Sequence, residues 1–208
     1  MLTWLDMMLL VAVQTLAGAP SPMTPPDPEV VRQLTALHIR AGSPPDLRQR
    51  DRALAWLVEH SDRTLPVALA RAEEAPQDVV LVDLLGRLRR PEATSFLRRA
   101  FADDRTRTYA AAGLGMSPDP AARAVLRGAL ESKSPGEVAA ALAGLGASGD
   151  PAVCADITPR LQDGNAEVRW MAVDAGSRLG CLNRPQLEAI AREDSDATVR
   201  ALAAERLR

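Results

Sequence analysis

Gly113-Leu114-Gly115-Met116-Ser117-Pro118-Asp119-Pro120 returns 31 residues later as Gly144-Leu145-Gly146-Ala147-Ser148-Gly149-Asp150-Pro151. A second element, Ala166-Glu167-Val168-Arg169-Trp170-Met171-Ala172, returns at the same interval as Ala197-Thr198-Val199-Arg200-Ala201-Leu202-Ala203. Fainter copies stand at Asp104-Arg105-Thr106-Arg107-Thr108-Tyr109-Ala110 and Gly136-Glu137-Val138-Ala139-Ala140-Ala141. Leu85-Gly86 followed by Pro91 precedes Leu114-Gly115 followed by Pro120 by 29 residues. A recurring unit of this length is one supersecondary motif that buries its apolar face only by stacking on its neighbours.

Within one period the pattern is helical twice. Asp119 is placed as N-cap and Pro120 at the first helical position, where a missing N–H costs nothing. Val125, Leu126 and Leu130 follow at helical spacing, the link from Glu131 to Gly136 breaks the pattern, and Val138, Ala141, Leu142 and Leu145 mark a second helix that Gly146 and Gly149 end. The same reading predicts helix pairs at 28–40 with 45–60, 64–74 with 77–89, 91–102 with 104–116, 151–162 with 165–179, and 184–193 with 196–207. The fold expected is all-α, an α-solenoid of about six stacked antiparallel pairs over residues 28–208.

Composition agrees. The 208 residues are 47% hydrophobic and 25% charged, which excludes a wholly disordered chain, and only 3% aromatic, so the core is built from Ala, Leu and Val. Charge is balanced at 25 basic against 27 acidic residues, which removes any global attraction to nucleic acid or anionic membrane. Lys133 is the lone lysine. Cys154 and Cys181 are too few for a disulfide framework and lack zinc-site spacing; both read as small buried residues, with one bridge between them open to an exported chain.

The first residues form two further segments. An apolar run from Met7 to Ala17 followed by Ala17-Gly18-Ala19 has the length of a signal-peptide hydrophobic region and is too short to span a bilayer comfortably. Against this, no Lys or Arg precedes Arg32, and Asp6 occupies the region where a base belongs. Residues 1–19 are therefore expected to direct export to the periplasm, with N-terminal membrane targeting, the alternative being an apolar N-terminal helix on a cytoplasmic protein. Residues 20–27, with Pro20, Pro22, Pro25 and Pro26, read as a semi-rigid linker.

The run Asp163-Gly164-Asn165-Ala166-Glu167-Val168-Arg169 with Ala172, and the run Leu145-Gly146-Ala147-Ser148-Gly149-Asp150-Pro151, resemble the HEAT-like repeats, including the short bacterial type related to phycobilisome-lyase repeats. The match is good from Pro91 onward; the two earlier pairs share the helix pattern but lack the Val-Arg signature. The resemblance implies a right-handed stack whose second helices line a concave face used to bind another protein. It specifies fold far better than activity.

Candidate binding residues follow from the repeat. Arg107, Arg169 and Arg200 occupy equivalent positions near the starts of second helices, with Asp103, Asp163 and Asp194 just before them. They read either as a row of donors for a partner's anionic groups or as a ladder joining adjacent turns. Arg105 belongs to the same basic run. Trp56, Tyr109 and Trp170 fall on second helices, and Tyr109, flanked by Thr106, Arg107 and Thr108, is the aromatic placed for binding. His38 and His60 lack the partners of a metal site and read as solvated or capping residues.

No catalytic signature, cofactor motif or metal-ligand set stands out. The function expected is a non-enzymatic scaffold that grips a protein partner on its concave face. The alternative is an enzyme of the bilin-lyase or alkylpurine DNA glycosylase type; the near-neutral charge argues against the latter, and nucleic acid is not expected as a partner. On a third reading the chain is subunit-like, and Val199, Leu202 and Ala203 pack on another surface.

Overall fold

The computed structural model describes residues 25–39 and 42–208, so the expected export segment lies outside the described residues. Twelve α-helices, and no strand, occur among those residues. They are α1 (Pro28–Leu37), α2 (Pro44–Glu59), α3 (Ser61–Glu74), α4 (Val79–Arg87), α5 (Thr94–Phe101), α6 (Arg107–Met116), α7 (Pro120–Ala129), α8 (Pro135–Ala147), α9 (Cys154–Ile157), α10 (Ala166–Arg178), α11 (Arg184–Glu193) and α12 (Ala197–Arg206). Consecutive helices form six pairs, as the period predicts. No helix among the described residues is long and apolar enough to cross a membrane.

Local chemistry sets the boundaries. Asp27, Asp78, Asp119, Asn165, Asn183 and Asp196 each accept hydrogen bonds from first-turn amides of the helix they precede, and Asn183 completes a reciprocal box with Gln186. The repeated Ser-x-Asp-Pro run is a built turn: the hydroxyls of Ser117 and Ser148 accept from the amides of Asp119 and Asp150. One expectation is corrected here. Residues 151–162 are not a continuous helix but a 3₁₀ turn at Pro151–Val153, the four-residue α9, and a second 3₁₀ segment at Thr158–Gln162. Pro159 has no N–H to donate and its ring crowds the preceding turn, which breaks the α-helical ladder.

The second helices α4, α6, α8, α10 and α12 form one row, each packed on the next, while first helices touch their counterparts more sparsely. Glycine makes the row possible. A Cβ built on Gly86 would lie 2.6 Å from the Cα of Gly113, and one on Gly115 would collide with the backbone carbonyl of Gly144. Leu-Gly therefore recurs because leucine fills the core while glycine admits the neighbouring backbone; Leu85, Leu114 and Leu145 are buried. The HEAT-like resemblance implies that this close-packed row is the inner one.

One apolar core runs from Val30 through Ala175, and a second, smaller one gathers Val173, Leu182, Leu187, Val199, Leu202 and Ala203. The reading that leaves Val199, Leu202 and Ala203 for an external surface is thus corrected: they pack within the chain against Leu187 and Val173. The cysteine reading is corrected too. Cys154 and Cys181 are half-buried and bonded to each other, with Cα atoms 5.4 Å apart, closing the fifth pair on itself.

Candidate functional site

Among the described residues two large apolar side chains stand exposed, Leu47 at 51% and Tyr109 at 44%. They line the same groove. Leu47 belongs to the first turn of α2 and Tyr109 to the first turn of α6; α4 lies between, contributing Val79 and Val80. Leu37 and Leu54 complete an apolar floor, and Arg50, Asp51 and Asp83 supply a polar rim around a volume of about 330 Å³. Asp83 is held by Arg87 at 2.8 Å, whereas Arg50 and Asp51 form no ion pair among the described residues.

The groove follows from local sequence. On α6, Ala110, Ala111, Gly113 and Leu114 are spent on neighbouring helices, and the helical period turns Tyr109 away from them. On α2, Ala53 and Leu57 are buried, which leaves Leu47 projecting from the run Asp46-Leu47-Arg48-Gln49-Arg50. The helix α2 touches α4 only lightly, so the inner row opens there. Sequence reasoning identified Tyr109 and missed Leu47, although the signal was of the same kind: a single large apolar residue enclosed by polar ones.

The arginines sit elsewhere. Arg169 is 12% exposed and donates from Nε and Nη2 to both carboxylate oxygens of Asp194, at 2.9 and 2.8 Å, and from Nη1 to the carbonyl of Asp163 at 2.9 Å. It therefore caps the turn of its own pair and binds the turn of the next. The Arg169 guanidinium holds the Asp194 carboxyl below the usual carboxylate range, against the opposing effect of burial. Arg107 donates to the carbonyls of Phe101 and Ala102 and pairs with Asp104 at 2.6 Å. Arg200 donates to the carbonyls of Asp194 and Ser195. Arg105 is exposed and donates to Gln77 at 3.2 Å.

Among the described residues one acid–arginine clamp, Arg169 with Asp194, joins successive turns at this repeat position. Ser132 stands where Asp163 and Asp194 stand in the next two pairs, its hydroxyl accepting from Ser134 as those carboxylates accept two residues on. Arg107 thus has no acid to meet in the following turn, and Val138 replaces the arginine that would meet Asp163.

Trp170 is half-buried against the smaller core. Trp56 is half-buried, stacked on His60 with ring centroids 4.1 Å apart and covered by Arg63. His38 ends α1, its Nε2 lying 2.8 Å from a carboxylate oxygen of Asp78. Among the described residues no group of three or more His, Cys, Asp or Glu side chains could hold a metal ion.

Residues 137–208 match the family model for HEAT repeats. Thirteen chains of solved structures also match. Among them is the complex of CpcE and CpcF of phycocyanin lyase from Nostoc sp. PCC7120, at 21% identity and a TM-score of 0.51, with 92% of this chain and 80% of that chain covered. This likeness extends the HEAT-like solenoid beyond the matched repeats to nearly the whole chain. No curated protein matches the sequence.

Proposed function

We propose that the protein is a non-enzymatic scaffold that binds a protein partner on the inner face of its HEAT-like solenoid, with the groove between Leu47 and Tyr109 as the anchor site. The observation that carries this reading is the coincidence of both exposed large apolar side chains in one groove. Isolated exposed leucines and tyrosines are ordinary surface features, but two of them facing each other over Val79, Val80 and Leu54 form a socket for a partner's apolar side chain. Arg50 and Asp51 at the rim supply orientation for a polar backbone or side chain around it.

Arg169, Arg107 and Arg200 act in this reading as internal caps of the turns. Arg105, exposed at the start of α6, remains a candidate contact for the partner's edge, and Trp170 supports the last repeat.

A double substitution tests the assignment. In affinity capture from the native source, Leu47→Ala with Tyr109→Ala should lose a partner that Trp170→Phe retains. Undiminished capture by the double variant, with helical content intact, would overturn the groove assignment. The catalytic alternative takes its support from the lyase complex among the structural neighbours. It requires that purified protein change the absorption spectrum of an added bilin, and an unchanged spectrum sets it aside. Export is proposed as well: the Cys154–Cys181 bond is of a kind that persists in oxidising compartments, and N-terminal sequencing of mature protein from the periplasm tests it.

A further inference from the structure

The outer segment of the fifth pair differs from other first helices. Pro151–Gln162 is fragmented into two 3₁₀ pieces around a single α-helical turn, and only Val153 and Ile157 within it are fully buried. Such a segment has few i→i−4 hydrogen bonds to hold it and little apolar area to anchor it. It also forms one wall of a cleft of about 460 Å³, through Leu161, Gln162 and Asp163, whose opposite wall is Ala189, Ile190 and Glu193 of α11.

The covalent tie falls on this weak element. Cys154 opens the α-helical turn, and its partner Cys181 follows Gly180, whose φ of +71° turns the chain back at the end of α10. The next residue, Leu182, belongs to the smaller core and packs near Gly176. The disulfide therefore fastens the fragmented outer segment to the link where the main core gives way to the smaller one. Both cysteines are half-buried rather than enclosed.

We propose that the Cys154–Cys181 disulfide is a redox-controlled latch on the outer segment of the fifth pair: reduction releases Pro151–Gln162 and widens the cleft against α11 while the inner row of helices stays packed. The chemistry is thiol–disulfide exchange. A thiolate of a dithiol attacks one sulfur and expels the other as thiolate, and the dithiol's second thiol then displaces the first sulfur, leaving two protein thiols and an oxidised dithiol. The proposal needs neither the anchor groove nor a particular compartment.

Hydrogen exchange on the full chain, with and without dithiothreitol, tests the latch. In reduced protein, with two free thiols verified by titration, amides of Val153–Gln162 should exchange at least about tenfold faster, and those of α6 and α8 should be unchanged. Cys154→Ala with Cys181→Ala should show the fast pattern without dithiothreitol and no further response to it. Unchanged exchange of Val153–Gln162 in fully reduced wild type would overturn the latch. So would acceleration spread equally over α6 and α8, which would make the bond a general staple.

Discussion

The contact between α6 and α8 and the contact between α10 and α12 are equivalent joints two repeats apart, yet they are closed by different means. At the first, Gly115 lies on the backbone of Gly144, and Gly144 in turn faces Ala111, so two helices meet main chain to main chain. At the second, α10 carries Trp170, Met171 and Val173, the helices touch over less of their length, and the largely covered Arg169–Asp194 pair spans the turns. Where small residues let backbones meet, dispersion and apolar burial suffice; where larger side chains hold them apart, charge-assisted hydrogen bonds close the joint.

The largest effect separating the two joints is expected at the glycine seam. Gly115→Ala places a methyl group on the carbonyl of Gly144, and because backbone rather than a flexible side chain must move, we expect a loss of roughly 4 kcal/mol or failure to fold. Urea unfolding followed by circular dichroism measures it; a loss under about 1 kcal/mol would show that the helices slide apart freely.

At the ionic joint, Arg169→Ala leaves the Asp194 carboxylate and the carbonyl of Asp163 without their donor. The expected cost is about 3 kcal/mol, confined to the last two pairs in hydrogen exchange. Acid separates the joints further. The Asp194 carboxyl has its folded-state value lowered, so the stability it supplies is complete above about pH 4 and lost as pH falls through that lower value. The difference between wild type and Arg169→Ala should therefore shrink below pH 4, and a constant difference down to pH 2 would contradict the clamp.

Much of this was legible in the sequence. The period predicts all six pairs, because a helix-breaking Pro or Gly recurs between the helices and an aspartate or asparagine cap recurs in most pairs. Tyr109 could be read because Thr106, Arg107 and Thr108 surround it. Other features depend on three-dimensional placement. Whether Arg169 binds outward or inward is decided by Asp194 in the next repeat, and equivalent arginines differ because Ser132 stands in one following turn. Pro159 carries a signal for the broken helix of the fifth pair, while Val153, Ile157 and Leu161 keep helical spacing across it. The disulfide joins residues 27 apart, a separation set by how the fifth pair folds back on itself.

Smaller effects refine the contrast. Arg89 has a φ of 52°, while the residue two before the corresponding proline in the fourth-to-fifth link is Gly149, at 68°. Arg89→Gly relieves a left-handed arginine, and a gain of about 0.5 kcal/mol is expected in thermal unfolding, net of the added chain entropy. Tyr109→Ala removes a side chain that already faces solvent, and its effect on stability should stay below about 0.5 kcal/mol, so that any loss of binding reports on the surface alone.

The central claim, that the groove between Leu47 and Tyr109 holds a protein partner, is tested most directly by replacing Tyr109 with a photo-crosslinking aromatic residue in the native cell. The account predicts one discrete crosslinked protein, absent when Leu47→Asp is combined with the probe and absent when the probe stands at Gly128 on the outer helix α7. Crosslinks of the same pattern from both positions, or a Tyr109 crosslink indifferent to Leu47→Asp, would contradict it.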